Sequence, residues 1–362
     1  MKAGIIGFSG VGKTTLFKIL TKTDISSSKF SRKKDKAPIG IASVPDRRLD
    51  ELSTLFKPKK TTYATVEYID IPAINKGIKK NQDLDLENLR NVDVLIHVIG
   101  TFNIDLSAAN YVSKFLRNEI TDFELELILC DLSITEKRLE KLGKELKKLK
   151  NPDLQMEETL LQKCRVWLEE EKPLRSLDFT QLEQKRLRGF TFLSQKPILH
   201  VLNLPDESSS QLNHLNETYQ LQEITEQANV EISGVCGKLE AEMTELPDQE
   251  VTAFLSNFGL SESGLIRIIK KTYQLLGMIS FFTVGEDECR AWTIQHSTSA
   301  LKAAGTIHSD IERCFIRAEV IRWNILLETR SLFVARQKGL MKLEGKNYTV
   351  QDGDTINFRH SA

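Results

Sequence analysis

Eight consecutive residues, Gly7-Phe8-Ser9-Gly10-Val11-Gly12-Lys13-Thr14, match G-x-x-x-x-G-K-[ST] at each fixed position. The pattern suits a polyphosphate. Its glycines let successive backbone N–H groups turn inward around phosphate oxygens, in conformations that a side chain would obstruct. A helix start directly afterwards adds unpaired N–H groups and the positive end of its dipole. Lys13 can reach the β- and γ-phosphates as a point charge, and the Thr14 hydroxyl suits Mg²⁺. Ser9, Gly10, Val11, Gly12, Lys13, Thr14 and Thr15 are therefore the expected phosphate contacts. The competing reading is an ordinary Gly-rich turn. The order strand, motif, helix decides for a nucleotide: Lys2-Ala3-Gly4-Ile5-Ile6 suits one buried strand, and Thr15 to Leu20 reads as the first turns of a helix.

Other elements must hold that loop in place. Thr62 to Ile71 alternates and is rich in β-branched and aromatic residues, and Val92 to Ile99 is an apolar run; both read as strands. His97 lies within the second and reads as a packed core residue. Between the first helix and these strands, Asp24 to Asp46 reads as a polar loop. Its basic cluster, Lys29, Arg32, Lys33, Lys34 and Lys36, fits either a solvated loop or a phosphate or RNA contact.

From about Thr121 the period becomes helical. Leu125, Leu132, Leu139, Leu142, Leu146 and Leu149 recur mostly at three-, four- and seven-residue steps. Asn151-Pro152 interrupts, and Met156, Leu160, Leu161, Cys164 and Trp167 continue on a second helix, so the pattern predicts an antiparallel helical hairpin. Lys141, Lys144, Lys147, Lys148 and Lys150 gather at its turn. They read either as a helix end favoured by its own dipole or as a basic tip for RNA or an acidic surface. Strand patterns resume at Pro197 to Asn203 and Val230 to Val235, so the hairpin is an insertion within an α/β domain that Leu265 to Leu275 closes as a helix. From about Gly277 the chain is strand-rich, with turn signals at Val284-Gly285 and Gln351-Asp352-Gly353-Asp354. The expected division is 1–120 with 196–276, the hairpin 121–195, and a small α+β module 277–362.

Composition sets bounds without naming a partner. The 362 residues suffice for two or three domains. Lys+Arg and Asp+Glu are both 50, so any nucleic-acid contact must come from local patches. No apolar run approaches membrane-spanning length, and the start lacks the layout of a signal peptide. Cys130, Cys164, Cys236, Cys289 and Cys314 are scattered without C-x-x-C spacing and read as reduced thiols of a cytoplasmic protein.

With these residues placed, the chain resembles the Obg-like ATPase (YchF) family, within the translation-factor class of P-loop GTPases. The resemblance rests on Val44-Pro45-Asp46-Arg47-Arg48-Leu49-Asp50, Phe281-Phe282-Thr283-Val284-Gly285, Arg290-Ala291-Trp292-Thr293-Ile294 and Ala303 to Asp310. Glu312-Arg313, Phe315 to Val320, Leu343 to Lys346 and Val350 to Asp354 extend it to the end of the chain. It implies an α/β P-loop NTPase domain of GTPase type, an inserted hairpin and a C-terminal TGS module, a ubiquitin-like β-grasp fold. It also implies Mg²⁺ near Thr14 and Asp70, and a ribosome or structured RNA as partner, with a monomer favoured. Asn203-Leu204-Pro205-Asp206 stands where guanine-specific relatives carry N-K-x-D and this family commonly has N-x-x-E. Cys236-Gly237-Lys238 resembles the loop that closes over the purine. Asn203, Asp206, Cys236, Gly237 and Lys238 are thus the implied base-side contacts, with GTP and ATP both open.

Three departures concern the γ-phosphate. Asp70-Ile71-Pro72-Ala73 replaces D-x-x-G, Asp35 falls near the first switch threonine, and Lys76 to Asp83 has lost most of the second switch's glycines. Ile74 continues the family's hydrophobic substitution of the water-positioning glutamine. The expected function is Mg²⁺-dependent binding of GTP or ATP with slow or partner-stimulated hydrolysis, acting as a ribosome-associated switch. The alternatives are a nucleotide-binding adaptor with little or no hydrolysis and, less compatible with the N-x-x-D site, a P-loop kinase.

Overall fold

The computed structural model describes residues 1–22, 37–72, 83–102, 104, 109–149 and 151–361. Asp35, Ala73, Ile74, Lys76 to Gln82, Lys150 and the basic cluster from Lys29 to Lys36 lie outside the described residues. The chain forms two units, Met1–Ile41 with Glu67–Lys271, and Ala42–Val66 with Thr272–Ala362.

The first unit is organised by a six-stranded sheet. Its strands are β1 (Lys2–Ile6), β2 (Ile39–Ser43), β4 (Thr65–Asp70), β5 (Val94–Gly100), β6 (Ile198–Asn203) and β7 (Val230–Val235), in the order β2-β4-β1-β5-β6-β7. Parallel pairing runs from β4 through β1, β5 and β6 to β7. Strands covered on both faces need apolar residues on both. Accordingly β6, Ile-Leu-His-Val-Leu-Asn, is buried at every position, and so is β5 from Val94 to Ile99. A chain reversal of order at β1 leaves a crevice beyond the carboxyl ends of the strands, where ligands of such sheets bind.

The hairpin is continuous with this sheet. Its first helix runs Ala109–Leu146, 38 residues, and so begins a dozen residues before the helical period becomes obvious in the sequence. At 1.5 Å per residue it is about 57 Å long. The physical reason lies in its burial. Val112, Leu116 and Ile120 pack with Leu202 and Leu204 of the sheet domain, whereas Ile128 and Leu142 pack with Leu160, Leu161, Cys164 and Leu168 of the second helix. One rod thus serves two cores. Phe123 stacks on His97 of β5 with ring centroids 3.9 Å apart, and the His97 and His200 Nδ1 atoms lie 3.0 Å apart. Burial pushes the His97 pKa down to about 3, so the ring is neutral. The second helix, Pro152–Glu169, starts where Asn151 caps it by accepting from the Asp153 N–H and proline occupies the first turn. Arg138 grips Glu157 across the two helices at 2.7 and 2.9 Å.

The second unit carries another six-stranded sheet: β3 (Lys60–Thr62), β8 (Met278–Thr283), β9 (Glu288–Gln295), β10 (Phe315–Arg322), β11 (Lys342–Glu344) and β12 (Asp354–His360), ordered β11-β10-β12-β8-β9-β3. The hairpin β8–β9 is antiparallel, and β12 joins β8 in parallel. Helix Ala300–Ile307 packs Ala300, Ala303 and Ala304 into the core with Phe281, Phe315 and Phe358. This is a β-grasp arrangement.

Two sequence expectations change here. Thr62 to Ile71 is not one strand: β3 ends at Thr62, where it pairs with β9, and β4 starts at Thr65 and pairs with β1. Residues 42–66, assigned by sequence to the phosphate-loop domain, group with the second unit, where β3 pairs with β9 and Arg48 adds side-chain contacts. Its guanidinium donates to Asp46 and to Asp352 Oδ2 at 2.6 Å, and lies 5.2 Å from the Phe282 ring centre. Burial opposes the Arg48 charge, but the hydrogen bonds to the two carboxylates outweigh it and raise its pKa. Val44-Pro45-Asp46-Arg47-Arg48 and Gln351-Asp352-Gly353-Asp354 therefore meet in space. The five cysteines form no disulfide, and no helix among the described residues is long and apolar enough to cross a membrane.

Candidate nucleotide-binding site

The loop between β1 and helix Lys13–Thr21 bends through glycines that no other residue could replace without strain. Gly7 has φ 148°, and a Cβ there would stand 2.5 Å from the Val98 carbonyl oxygen. Gly12 has φ 95°, and its Cβ would stand 2.4 Å from the Asn203 Nδ2. The first helical bond runs from the Leu16 N–H to the Gly12 carbonyl, 2.9 Å, which leaves the earlier amides of the loop free of intrahelical partners. Ser9, Gly10, Thr14 and Thr15 are exposed along this mouth, with Val11 and Gly12 half-buried.

Lys13 is buried, and its ammonium donates to the Phe8 carbonyl at 2.7 Å, closing across the loop. Burial pushes its pKa down, and the nearby Asp70 acts in the opposite direction. Asp70 ends β4, also buried, and accepts from the Thr14 hydroxyl at 2.8 Å. Burial raises the Asp70 pKa against the Thr14 hydrogen bond and the Lys13 charge. A hydroxyl and a carboxylate in direct contact, both hard oxygen donors, fit Mg²⁺, which takes one or two protein ligands and leaves the rest to phosphate and water.

The base side is wired differently. Asn203, only 4% exposed at the end of β6, donates from Nδ2 to the Val11 carbonyl at 3.1 Å and accepts at Oδ1 from the Gly237 N–H at 3.1 Å. It thereby joins the phosphate loop to the loop 236–238. Leu204 turns into the core with Leu212 and Leu239 instead of covering a base. Asp206 pairs with Lys238 at 3.2 Å, and the hydrogen bond to Asp206 raises the Lys238 pKa. Cys236 is buried, its thiol directed at the Pro205 carbonyl (3.5 Å) and its pKa pushed up to about 12 by burial.

Two contributors escape the sequence motifs. Thr101 follows β5 and donates both its N–H and its hydroxyl to the Asn203 carbonyl, each at 3.1 Å. Its signal is a polar residue directly after a strand that is apolar except for His97. Glu240 is buried and accepts from the Ser263 hydroxyl and the Gly264 N–H, both at 2.6 Å, fixing the helix that starts at Gly237. Nothing in a short motif marks it.

Comparison with known proteins gives the family. A model described as "50S ribosome-binding GTPase" matches residues 2–132, and a C-terminal YchF-GTPase model, described as a protein of unknown function, matches residues 278–361. The "Ribosome-binding ATPase YchF" of Bacillus subtilis (strain 168) is 39% identical over 364 residues, covering 99% of each chain. The chain belongs to the YchF family. The YchF of Escherichia coli O157:H7 is 35% identical, covering 99% of this chain and 98% of its own. The solved YchF GTPase of Schizosaccharomyces pombe superposes with a TM-score of 0.80 at 24% identity, covering 99% of this chain and 97% of its own, and shares the fold.

Proposed function

We propose that this YchF-family chain binds Mg²⁺ and a purine nucleoside triphosphate at the loop Gly7–Thr14 and hydrolyses it slowly, with a ribosomal partner as stimulus. The observation that carries this reading is the convergence of Lys13, Thr14 and Asp70 at the mouth of a complete phosphate loop. In this reading the loop amides hold the α- and β-phosphates, and the Lys13 ammonium exchanges the Phe8 carbonyl for the β- and γ-oxygens. Thr14 and Asp70 would hold Mg²⁺, which supplies positive charge against the phosphate oxygens. Asn203 keeps the base loop and phosphate loop in one geometry, so that base and phosphates bind together. Ala73, Ile74 and Asp35, by residue type, favour slow unaided turnover.

The Asp206–Lys238 ion pair favours ATP over GTP. A guanine reader needs a carboxylate free to accept from N1 and N2, and a site built for those hydrogens discriminates strongly. Here the carboxylate already has a cation. The curated relatives are named ribosome-binding ATPases, whereas the matching family model and the solved relative are named GTPases, so the names support a ribosomal partner and the base preference rests on the ion pair. Exposed Lys141, Lys147 and Lys148 at the hairpin tip suit RNA phosphates. Single-turnover hydrolysis of labelled ATP and GTP, alone and with ribosomes, tests the reading. Ribosome-stimulated ATP turnover is expected. Nucleotide binding without turnover under either condition would leave an adaptor instead.

A further inference from the structure

The second sheet has a place for a strand that the chain does not fill. β12 runs from Asp354 to His360, but its parallel partner β8 meets it at Thr355, opposite Phe282, and ends at Thr283. On the other side β10 stays paired with β12 as far as His360. In an antiparallel pair, alternate residues turn both backbone groups away from the partner strand. From Asn357 to His360 those groups face no strand among the described residues.

A cavity of about 390 Å³ lies at this gap, within the size range of ligand clefts. Its walls place it along the strand edge. Ile356 and Phe358 point into the core beneath helix Ala300–Ile307, whereas Asn357 points to the opposite face and donates to Glu319 at 2.8 Å. All three line the cavity, together with Thr283 and Val284, where β8 stops. Only an opening along the edge of β12 touches both of its faces.

The two sides of the gap differ in chemistry. On the helix side stand Ile307 and Ile311, half-buried and apolar. On the other side stands Arg336 of helix Leu332–Gln337, 45% exposed at its side chain, which donates to Glu319 at 2.9 Å. Glu319 also accepts from Arg359. Burial opposes the Glu319 charge, but hydrogen bonds from Asn357, Arg336 and Arg359 outweigh it and hold its pKa down at about 2. One carboxylate thus serves two guanidiniums, and positive charge is left over. Among the described residues, none that lines the cavity is acidic.

We propose that this gap receives an extended peptide segment of a partner protein. The segment pairs its backbone with β12 and alternates apolar side chains toward Ile307 and Ile311 with carboxylates toward Arg336. Backbone pairing supplies affinity, and the unlike sides of the gap supply specificity. The site is independent of the nucleotide reading, since every residue lining it belongs to the second unit.

The test is fluorescence anisotropy of labelled peptides with the full chain. Fluorescein-Val-Glu-Val-Glu-Val-amide should bind saturably, and the same peptide with lysine in place of glutamate about tenfold more weakly. Two versions N-methylated at alternate residues, one in each phase, should separate. One loses about tenfold or more, because its blocked N–H groups face β12, and the other keeps its affinity. Arg336→Gln should weaken the acidic peptide about threefold, the scale of a half-exposed ion pair. Val284→Arg, which sets a long side chain at the end of the gap, should abolish binding. Absence of saturable binding overturns the proposal, and so does equal affinity for the lysine peptide or for both N-methylated versions. A ten-residue oligouridylate that binds where the peptide does not, and weakens in Arg336→Gln, would assign the gap to RNA phosphates. A dimer in sedimentation equilibrium that Val284→Arg dissociates would assign it to a second copy of the chain. Either result overturns the proposal. Should Arg336→Gln fail to fold, unchanged peptide affinity in Val284→Arg overturns it equally.

Discussion

The phosphate half and the base half of the candidate site are built on opposite principles. The phosphate half is a continuous piece of chain: loop, lysine and hydroxyl lie within eight residues, and only Asp70 comes from elsewhere. The base half is assembled from the ends of two strands far apart in sequence, and its central residue, Asn203, makes hydrogen bonds to Val11 and Gly237. Contiguity makes the first half robust and general. Any chain with this loop can hold a polyphosphate. Assembly makes the second half specific, because its geometry depends on strand register: Gly100, Asn203 and Val235 lie side by side across β5, β6 and β7. Chemistry common to all nucleotides therefore sits in local sequence, and chemistry that distinguishes them sits in tertiary structure.

The largest effect should come from the contiguous half. Lys13→Ala removes the one ammonium that the loop closes around, and nucleotide affinity should fall on the order of 100-fold, the scale of lost charged hydrogen bonds. Calorimetry with ATP and with ADP checks it, and circular dichroism should report an unchanged fold. An affinity within a few-fold of the unmodified protein would remove Lys13 from the site.

Next comes the residue that spans the two halves. Asn203→Ala loses both hydrogen bonds and should weaken ATP and inorganic pyrophosphate alike, each about tenfold. If the halves were independent, pyrophosphate would bind unchanged, and the comparison above would need no bridge. Gly12→Ala attacks the same junction sterically: a Cβ cannot stand 2.4 Å from the Asn203 amide, so the loop must shift. A cost of about 1–3 kcal/mol in stability is expected from denaturant melts.

What the sequence made legible follows the same division. The phosphate loop, the buried strands and the helical hairpin were each readable because their signals are local: a fixed motif, an apolar run, a three-to-four-residue period. What it concealed depended on long-range partners. The helix Ala109–Leu146 starts early because Val112 and Leu116 answer to the sheet core and not to the hairpin's period. Residues 42–66 leave their sequence neighbours because β3 pairs with β9 and Arg48 finds Asp352, three hundred positions away. Leu204 replaces the lysine of N-K-x-D, and its side chain is buried in the core with Leu212 and Leu239. Alternation continues from β3 into β4, so nothing in the pattern marks the two residues, Tyr63 and Ala64, at which the chain passes from one sheet to the other.

A smaller effect separates the two halves by pH. Burial raises the Asp70 pKa, so acidification should protonate it before ordinary carboxylates. Mg²⁺-dependent ATP affinity should therefore start to fall at a pH above the usual aspartate range, and Asp70→Asn should flatten that limb. The sign for folding is opposite. A raised carboxyl pKa means that the folded chain binds the proton more tightly than the unfolded chain. The contribution of Asp70 to stability is thus greatest in acid and declines as pH rises through its ordinary and then its raised value. Binding and melting measured on one pH series distinguish the two. Parallel loss of both on acidification would point to general unfolding and away from Asp70.

The smallest effect concerns base choice. Lys238 is 76% exposed and its pair with Asp206 is a surface contact, so little stability depends on it. In the proposed reading its consequence for recognition is larger than its energy, because it engages Asp206, the carboxylate assigned there to the base. Lys238→Ala should free Asp206 and raise GTP affinity relative to ATP by about two- to fivefold, the scale of an exposed ion pair. Asp206→Asn should leave ATP affinity unchanged, since adenine offers no N1 hydrogen for a carboxylate to accept. Competition binding with the two triphosphates measures both ratios in one experiment. An unaltered ratio in Lys238→Ala would mean that the ion pair does not set the preference. The burial of Leu204, which leaves no side chain from that position to cover the ring, would then be the remaining structural cause.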